Sequence, residues 1–338
     1  MGASAGHLSR LRPSAIAVSI VLSACAGQPS TPTPSATQEM PSAAFAFRSD
    51  KPVVTRALTG IDERYINPGA VIEHEGQLHM FANVFSAWPG LVQVPHLVSD
   101  DGLSWTLAAD EPVLDSTDVP FTDEGADVSA GFVTDDGTWV LIFETVERFD
   151  PWSLGRATAP GPDGPWTIDP EPILEAGAEG SWDAGGLSWP SVVRTDSGYL
   201  MYYTALDQPR GGLGVIGLAT SPDGVAWTKH PEPVLRAEMD WEQRKLDRPR
   251  VALTPHGLVM VYSGGRLTDR GVAWSDDGIA WQRSGEAPVI TRDDFPVSGN
   301  AWDAALVHRD GTLLYYLEIG LASGTTGTDV YLATAELP

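Results

Sequence analysis

The hydrophobic positions of this chain fall in short runs, alternating or continuous, that cross a polar turn at a glycine and then resume. Such runs predict β-hairpins rather than long helices. Five copies stand in order: residues 68–72 and 80–81 around Gly76, 132–133 and 140–143 around Gly137, 190–193 and 201–203 around Gly198, 249–253 and 260–262 around Gly257, and 303–307 and 314–316 around Gly311. The repeat runs to about sixty residues, and self-similarity at a fixed period is the mark of a repeat architecture.

Two further markers keep the same phase. The first is Ser-x-Asp-Gly-x-x-Trp, from Ser99 to Trp105, Ser221 to Trp227 and Ser275 to Trp281, with a shortened copy from Pro162 to Trp166. Ser and Asp there can bond the turn backbone, Gly accepts a positive φ, and Trp packs back on the hairpin, so a structural turn is expected rather than chemistry. The second is a proline followed by two aliphatic residues, at Pro112-Val113-Leu114, Pro172-Ile173-Leu174, Pro233-Val234-Leu235 and Pro288-Val289-Ile290. Proline suits a strand with a free edge, so this segment is expected to be outermost. A fifth copy, Lys51-Pro52-Val53-Val54, precedes the first hairpin, and the fifth hairpin is followed by residues 330–334 with no such segment after them. Circular closure accounts for the displacement. The predicted fold is therefore all-β, a five-bladed propeller of four-stranded antiparallel blades over residues 44–338, with the N-terminal strand completing the last blade.

Composition refines this reading at the N-terminus. Residues 1–24 carry Arg10 and Arg12 and then an apolar stretch too short to span a bilayer, the proportions of a signal peptide. They end Leu22-Ser23-Ala24-Cys25, which resembles the bacterial lipobox, and that resemblance implies cleavage before Cys25 and lipidation of its thiol. Residues 25–43 then read as a Pro/Ser/Thr-rich tether, able at ~3 Å per residue to reach roughly 50 Å from a membrane. The expected product is an extracytoplasmic protein held to the membrane only by its lipid anchor. Cys25 is the single cysteine, so the folded part has no internal disulfide and no cysteine-rich zinc site. The chain has 45 acidic and 21 basic residues, a formal charge of −24, which opposes binding to nucleic acid or an anionic membrane surface. A monomer is expected.

Aligning the hairpins on their turn glycines predicts which residues meet at one face of the ring. The strand starts are residues 64–69, 127–130, 188–191, 247–250 and 302–303, and the second strands are expected to end at Asn83, Glu144, Ala205, Gly264 and Glu318. Asp127, Asp247 and Asp303 are the candidate catalytic carboxylates, with Glu144, Glu318 and Asp183 near them. Acids converging on one mouth repel each other, raise some pKa values and create an acid/base pair. Glycoside hydrolysis uses such a pair, at ~5–5.5 Å for retention or ~6.5–9.5 Å for inversion. Each acid has an alternative role as a solvated loop residue or a backbone cap. Trp88, Trp182, Trp189 and Trp302 are expected at the same face, either stacking on sugar or packing between blades. Arg64, Arg248 and Arg250 either neutralise neighbouring Asp or bind an anionic substrate group. His74, His256 and His308 fall at or near the hairpin turns, opposite the mouth, and His74 and His79 lack the spacing of helical zinc ligands. No organic cofactor is expected, since no glycine-rich phosphate loop opens a helix. A calcium ion among the channel acids is the one metal the pattern leaves open.

With Asn67-Pro68-Gly69-Ala70 opening the first blade and Asp247-Arg248-Pro249-Arg250 the fourth, residues 44–338 resemble the five-bladed arabinanase, invertase and mannoside-phosphorylase group. In arabinanase-type members an Asp precedes the first-blade Pro as general base, and a third-blade Glu two residues before Pro is the general acid. Those positions are Asn67 and Ser188 here. The mannoside phosphorylases share Asn-Pro in blade one, and their blade-two proton donor falls on or near Asp127. Their phosphate is held by basic side chains, which Arg248 or Arg250 could resemble. The resemblance implies a carbohydrate ligand and a glycosidase-like activity, with a non-catalytic sugar-binding protein and a phosphorylase as the alternatives.

Overall fold

The computed structural model describes residues 43–122, 125–146, 151–209, 212–321 and 327–338. The signal segment, Cys25 and nearly all of the expected tether lie outside these residues. Ala43, expected at the tether's end, is buried among residues of the fourth and fifth blades.

Five antiparallel sheets follow one another along the chain. Their inner strands are Tyr65–His74, Ala126–Val133, Gly186–Thr195, Asp247–Thr254 and Gly299–Arg309, and each contacts the next in a closed ring. Five apolar clusters fill the five blade junctions. The inner strands are therefore covered on both faces, which is why their sequences read as nearly unbroken apolar runs.

The ring closes as the displaced segment implied. Ala46 and Phe47 pair with Thr334 and Ala333, and Val54 bridges Val330. Val53 N–H donates to the Val330 carbonyl at 2.8 Å, and Val330 N–H returns a bond to Val54 at 2.9 Å. Phe45 packs on Tyr315 of the same blade, with ring centroids 5.6 Å apart.

The proline segment is not itself the outermost strand. That position belongs to the pair of residues after each tryptophan: Thr106–Leu107, Thr167–Ile168, Thr228–Lys229 and Gln282–Arg283. The chain then arches over the proline and returns to bridge the start of the same third strand, as Leu174 to Leu154, Leu235 to Ile216 and Ile290 to Arg270. Proline lies in the arch, where no ladder bond is asked of it. Blade one departs further. Pro95 interrupts its third strand, and its sheet counts six strands, four of them short.

The Asp-Gly turns behave as read. Gly102 N–H donates to Ser99 Oγ at 2.8 Å, Leu103 and Ser104 N–H donate to Asp101 Oδ1, and Trp105 Nε1 closes on the Gly102 carbonyl. Gly102 has φ +74°, and an added Cβ would meet Tyr316 Oη at 2.7 Å, so both conformation and contact demand glycine.

Every inner strand carries a bulge at the same height, between Asn67/Ala70, Val128/Ala130, Ser188/Ser191, Asp247/Arg250 and Ala301/Ala304. A bulge kinks the strand, re-aims side chains and leaves backbone groups without a ladder partner. The preceding blade supplies several of the missing acceptors. Asn83 Oδ1 accepts from Val128 N–H at 2.9 Å, Glu144 Oε2 from Trp189 N–H, and Thr204 Oγ1 from Arg248 N–H at 2.8 Å.

Closure gives the first prediction. Val54 is fully buried, whereas Lys51 is exposed. Val54→Asp should lower unfolding free energy by about 3–5 kcal/mol, the cost of an uncompensated buried charge, and Lys51→Asp should have little effect. Urea unfolding followed by tryptophan fluorescence measures both. A Val54→Asp curve matching wild type would mean that this segment does not close the ring.

Candidate functional site

The bulges surround a cavity of about 410 Å³ to which all five blades contribute. Blade one gives Arg64, Tyr65, Asn67, Phe85 and Trp88; blades two, three and four give Asp127, Trp189 and Arg248; blade five gives Trp302, Asp303, Glu318 and Thr328. This volume suits a small ligand.

Asp127, at the start of the second inner strand, is 3% exposed. Asn67 Nδ2 reaches both its oxygens, at 3.4 and 3.3 Å, while Asn67 Oδ1 accepts from Gly69 N–H and Asn83 Nδ2. Burial pushes the Asp127 carboxyl well above the usual range, the negative charges of Glu144, Asp303 and Glu318 push the same way, and the Asn67 bond opposes them.

Asp303 lies in the fifth bulge. Its Oδ1 takes Arg250 Nη2 at 2.5 Å and its own neighbour's N–H, from Ala304, at 2.7 Å. Its Oδ2 is buried and has no partner. Glu318 Oε2 accepts from Asp303 N–H at 3.1 Å, and burial raises the Glu318 carboxyl to about 8. Glu144 is likewise raised to about 8, by burial first and by Asp303 next, with the Trp189 N–H opposing.

At neutral pH the site thus combines carboxyl groups that retain protons with one carboxyl, Asp303, tied to a guanidinium. That is the raw material of paired acid/base chemistry. Tyr65, Phe85, Trp88, Trp189 and Trp302 supply flat apolar walls around it.

Several expected members are elsewhere. Asp247 is fully buried and does not line the cavity. Its carboxylate is used by Arg248 Nη1 at 3.0 Å, Lys245 Nζ at 3.1 Å and Thr204 Oγ1 at 3.1 Å, so it anchors Arg248 instead of facing a ligand. Arg250 is 2% exposed and spends its donors on Asp303 and on the carbonyls of Trp189, Pro190, Pro249 and Ala304, which makes it a pin beneath the mouth. Asp183 is tied to Lys229 Nζ and Ser181 Oγ, and Trp182 stacks on Tyr203 with its Nε1 on the Pro231 carbonyl. Neither lines the cavity. Glu144 is completely buried behind Trp189 N–H. Among the described residues, no three or more His, Cys, Asp or Glu side chains are grouped so as to hold a metal ion.

The second strands reach the bulges through Asn83, Glu144, Thr204 and Ser263, the Cα partners of Asn67, Asp127, Ser188 and Asp247. Ala205 and Gly264 are therefore one residue out of phase. Phe85, Thr328 and Lys245 were not anticipated, and Tyr65 falls within the expected strand start 64–69 without having been singled out. Tyr65 and Phe85 are Cα partners at the open end of the first hairpin, so extending the second strand two residues beyond Asn83 would have found Phe85.

No protein-family model matches the chain, and no curated protein is similar to it in sequence. Solved structures do share the architecture. One belongs to work on the GH130 family of mannoside phosphorylases, described as containing glycoside hydrolases that target beta-1,2 mannosidic linkages in Candida mannan; it is 16% identical, with TM-score 0.64 over 88% of this chain and 96% of that one. A glycosyl hydrolase from Bacteroides ovatus is 17% identical, with TM-score 0.63 over 88% and 96%. A family 117 glycoside hydrolase from the marine bacterium Zobellia galactanivorans is 15% identical, with TM-score 0.64 over 87% and 90%. At these identities the likeness establishes the fold alone.

The raised carboxyls have a measurable consequence. Glu144 ionises near 4.5 when unfolded but near 8 when folded, so between these values the native state holds the extra proton and stability falls as pH rises. Glu144→Gln keeps an acceptor for Trp189 N–H and cannot ionise. The wild type should lose on the order of a few kcal/mol more than this variant between pH 5 and 9, at about 1.4 kcal/mol per pKa unit. Superimposable stability–pH curves would contradict the assignment.

Proposed function

We propose that this chain cleaves a glycosidic bond within the cavity, with Asp127 as proton donor and Asp303 as the second carboxylate. The supporting observation is that a carboxyl pushed well above its usual range by burial, Asp127, and an ion-paired carboxyl with an unused oxygen, Asp303, share one aromatic-walled cavity. Asp127 would protonate the departing oxygen. Asp303 Oδ2 would act on water or on the anomeric carbon, its negative charge held in place by Arg250 and Ala304 N–H. Glu318 keeps Asp303 oriented through its N–H, and Tyr65, Phe85, Trp88, Trp189 and Trp302 stack on the sugar rings. The glycoside hydrolases that share the fold support a carbohydrate ligand. Hydrolysis is preferred to phosphorolysis because an exported protein meets no steady phosphate supply.

The cellular setting is part of the same proposal. Leu22-Ser23-Ala24-Cys25 supports cleavage and lipidation at Cys25, giving an extracytoplasmic, membrane-tethered enzyme. Palmitate labelling in a bacterial host should be lost in Cys25→Ala, and undiminished labelling would remove the anchor from the account.

For the chemistry, a panel of aryl glycosides and oligosaccharides is assayed with wild type, Asp127→Asn and Asp303→Asn. Each variant should remain folded and lose about 10²–10⁴-fold in kcat, the usual worth of a positioned acid or base. Turnover equal to wild type in either variant would remove that residue from the mechanism. Tight sugar binding without turnover by wild type would favour the reading as a sugar-capturing protein, to which Asn67 and Ser188 point by replacing the acids of arabinanase-type enzymes.

A further inference from the structure

Five residues occupy the first bulged position of the five inner strands: Pro68, Ser129, Trp189, Arg248 and Trp302. Only Arg248 carries a charge. Arg248 is held in an unusual backbone state for its type, φ +51°, which costs of order 1 kcal/mol or more and persists only where surroundings impose it. Its N–H is fixed by Thr204 Oγ1, and Pro249 follows it.

The side chain is equally constrained. Its guanidinium lies 3.8 Å over the Trp189 ring, and Nη1 bonds Asp247 Oδ2 at 3.0 Å. The residue lines the cavity with its side chain only 11% exposed, and its Nε is buried without a partner. A fixed, stacked guanidinium with unused donor capacity matches a planar carboxylate.

The charge around it has the complementary sign. Asp247 is shared by two cations, Arg248 and Lys245, so that group carries an excess positive charge. Asp303 is balanced by Arg250. Burial raises the Glu318 carboxyl to about 8 and pushes the Asp127 carboxyl in the same direction, and Arg64 adds a further cation to the wall. The cavity is thus a basic spot in a chain of formal charge −24. A long polyanion would be repelled by the surface, whereas a small ligand with one negative group would be drawn to the mouth.

We propose that the ligand is a short glycoside bearing a carboxylate, a uronoside, and that Arg248 is the residue that reads that carboxylate. This deepens the reading of the site as a glycosidase and rests on it. The anion-binding element is separable from the chemistry, because Arg248 touches neither Asp127 nor Asp303 through any hydrogen bond described above.

The test measures binding and turnover separately. Tryptophan fluorescence titrations use the methyl glycosides of glucuronic and galacturonic acid, the neutral methyl glucoside and galactoside, and inorganic phosphate. The proteins are Asp127→Asn, in which the sites stay loaded, and the same protein carrying Arg248→Met, which keeps the packing on Trp189. At least one uronoside should bind tenfold or more tightly than its neutral counterpart, and Arg248→Met should reduce that preference to about twofold. Aryl uronosides and aryl hexosides are then assayed with wild type.

Turnover of neutral hexosides with kcat/KM equal to the uronosides leaves the hydrolase reading intact and overturns this inference. Uronoside preference with no turnover of any glycoside does the reverse. Preference that survives Arg248→Met overturns the role of Arg248. Phosphate as the only anion bound also overturns the inference and points to phosphorolysis, and no binding by any sugar overturns both readings.

Discussion

The backbone N–H left over at each bulge is the constraint on which this site depends. The bulges lie where the five inner strands crowd together, and a buried donor without an acceptor costs about 1–3 kcal/mol. The preceding blade answers with a side chain at the end of its second strand. Asn83, Thr204 and Glu144 do so for blades two, four and three. Blade five is served from within, where Glu318 accepts from Asp303 N–H. A single requirement of the fold therefore places carboxyl groups at the axis, and neutral side chains meet the same need elsewhere.

Once a carboxyl is placed there, burial decides its protonation. Glu144 and Glu318 are both held near 8, with desolvation the first cause in each case. Asp127 moves in the same direction under the added charges of its neighbours. Arg250 sets Asp303 apart from the other three, since it bonds its Oδ1 from below and also bonds carbonyls of blades three, four and five. One buried cation thus divides four like groups into unequal roles, which is how a single environment yields both a proton donor and a proton acceptor.

The sequence carried the architecture further than it carried the site. Five hairpins, their turn glycines and the misplaced Lys51-Pro52-Val53-Val54 segment were enough to predict the blade number and the closing strand, because each is a local pattern repeated in phase. The turns broke that phase. Gly198 and Gly257 are already the first paired residues of their second strands, opposite Thr195 and Thr254, whereas Gly76 is still in its turn, so an equal count from the glycine arrives at Ala205 and Gly264 where the structure uses Thr204 and Ser263. The prolines at 68, 190 and 249 mark three of the five bulges and were the available signal. Ion pairs were the other blind spot. Asp247 stands at a strand start where a catalytic carboxylate was expected, yet Lys245, two residues earlier, closes on it, and Asp183 is claimed by Lys229 from 46 residues away. The buried pair His79 and His96 of blade one, bonded at 3.0 Å, continues to Asp163 of blade two, and that link was unreadable for the same reason, since it joins residues 67 positions apart.

The account stands on protons remaining on buried carboxyls at neutral pH. Infrared difference spectra taken from pH 5 to pH 10 read the C=O stretch of protonated carboxylic acids directly, and Asp127→Asn, Glu144→Gln and Glu318→Gln assign the bands. The expected result is protonated-acid absorption that persists at pH 7, fades around pH 8 and loses a component in each variant. A spectrum with every carboxyl already ionised at pH 7 would contradict the central claim.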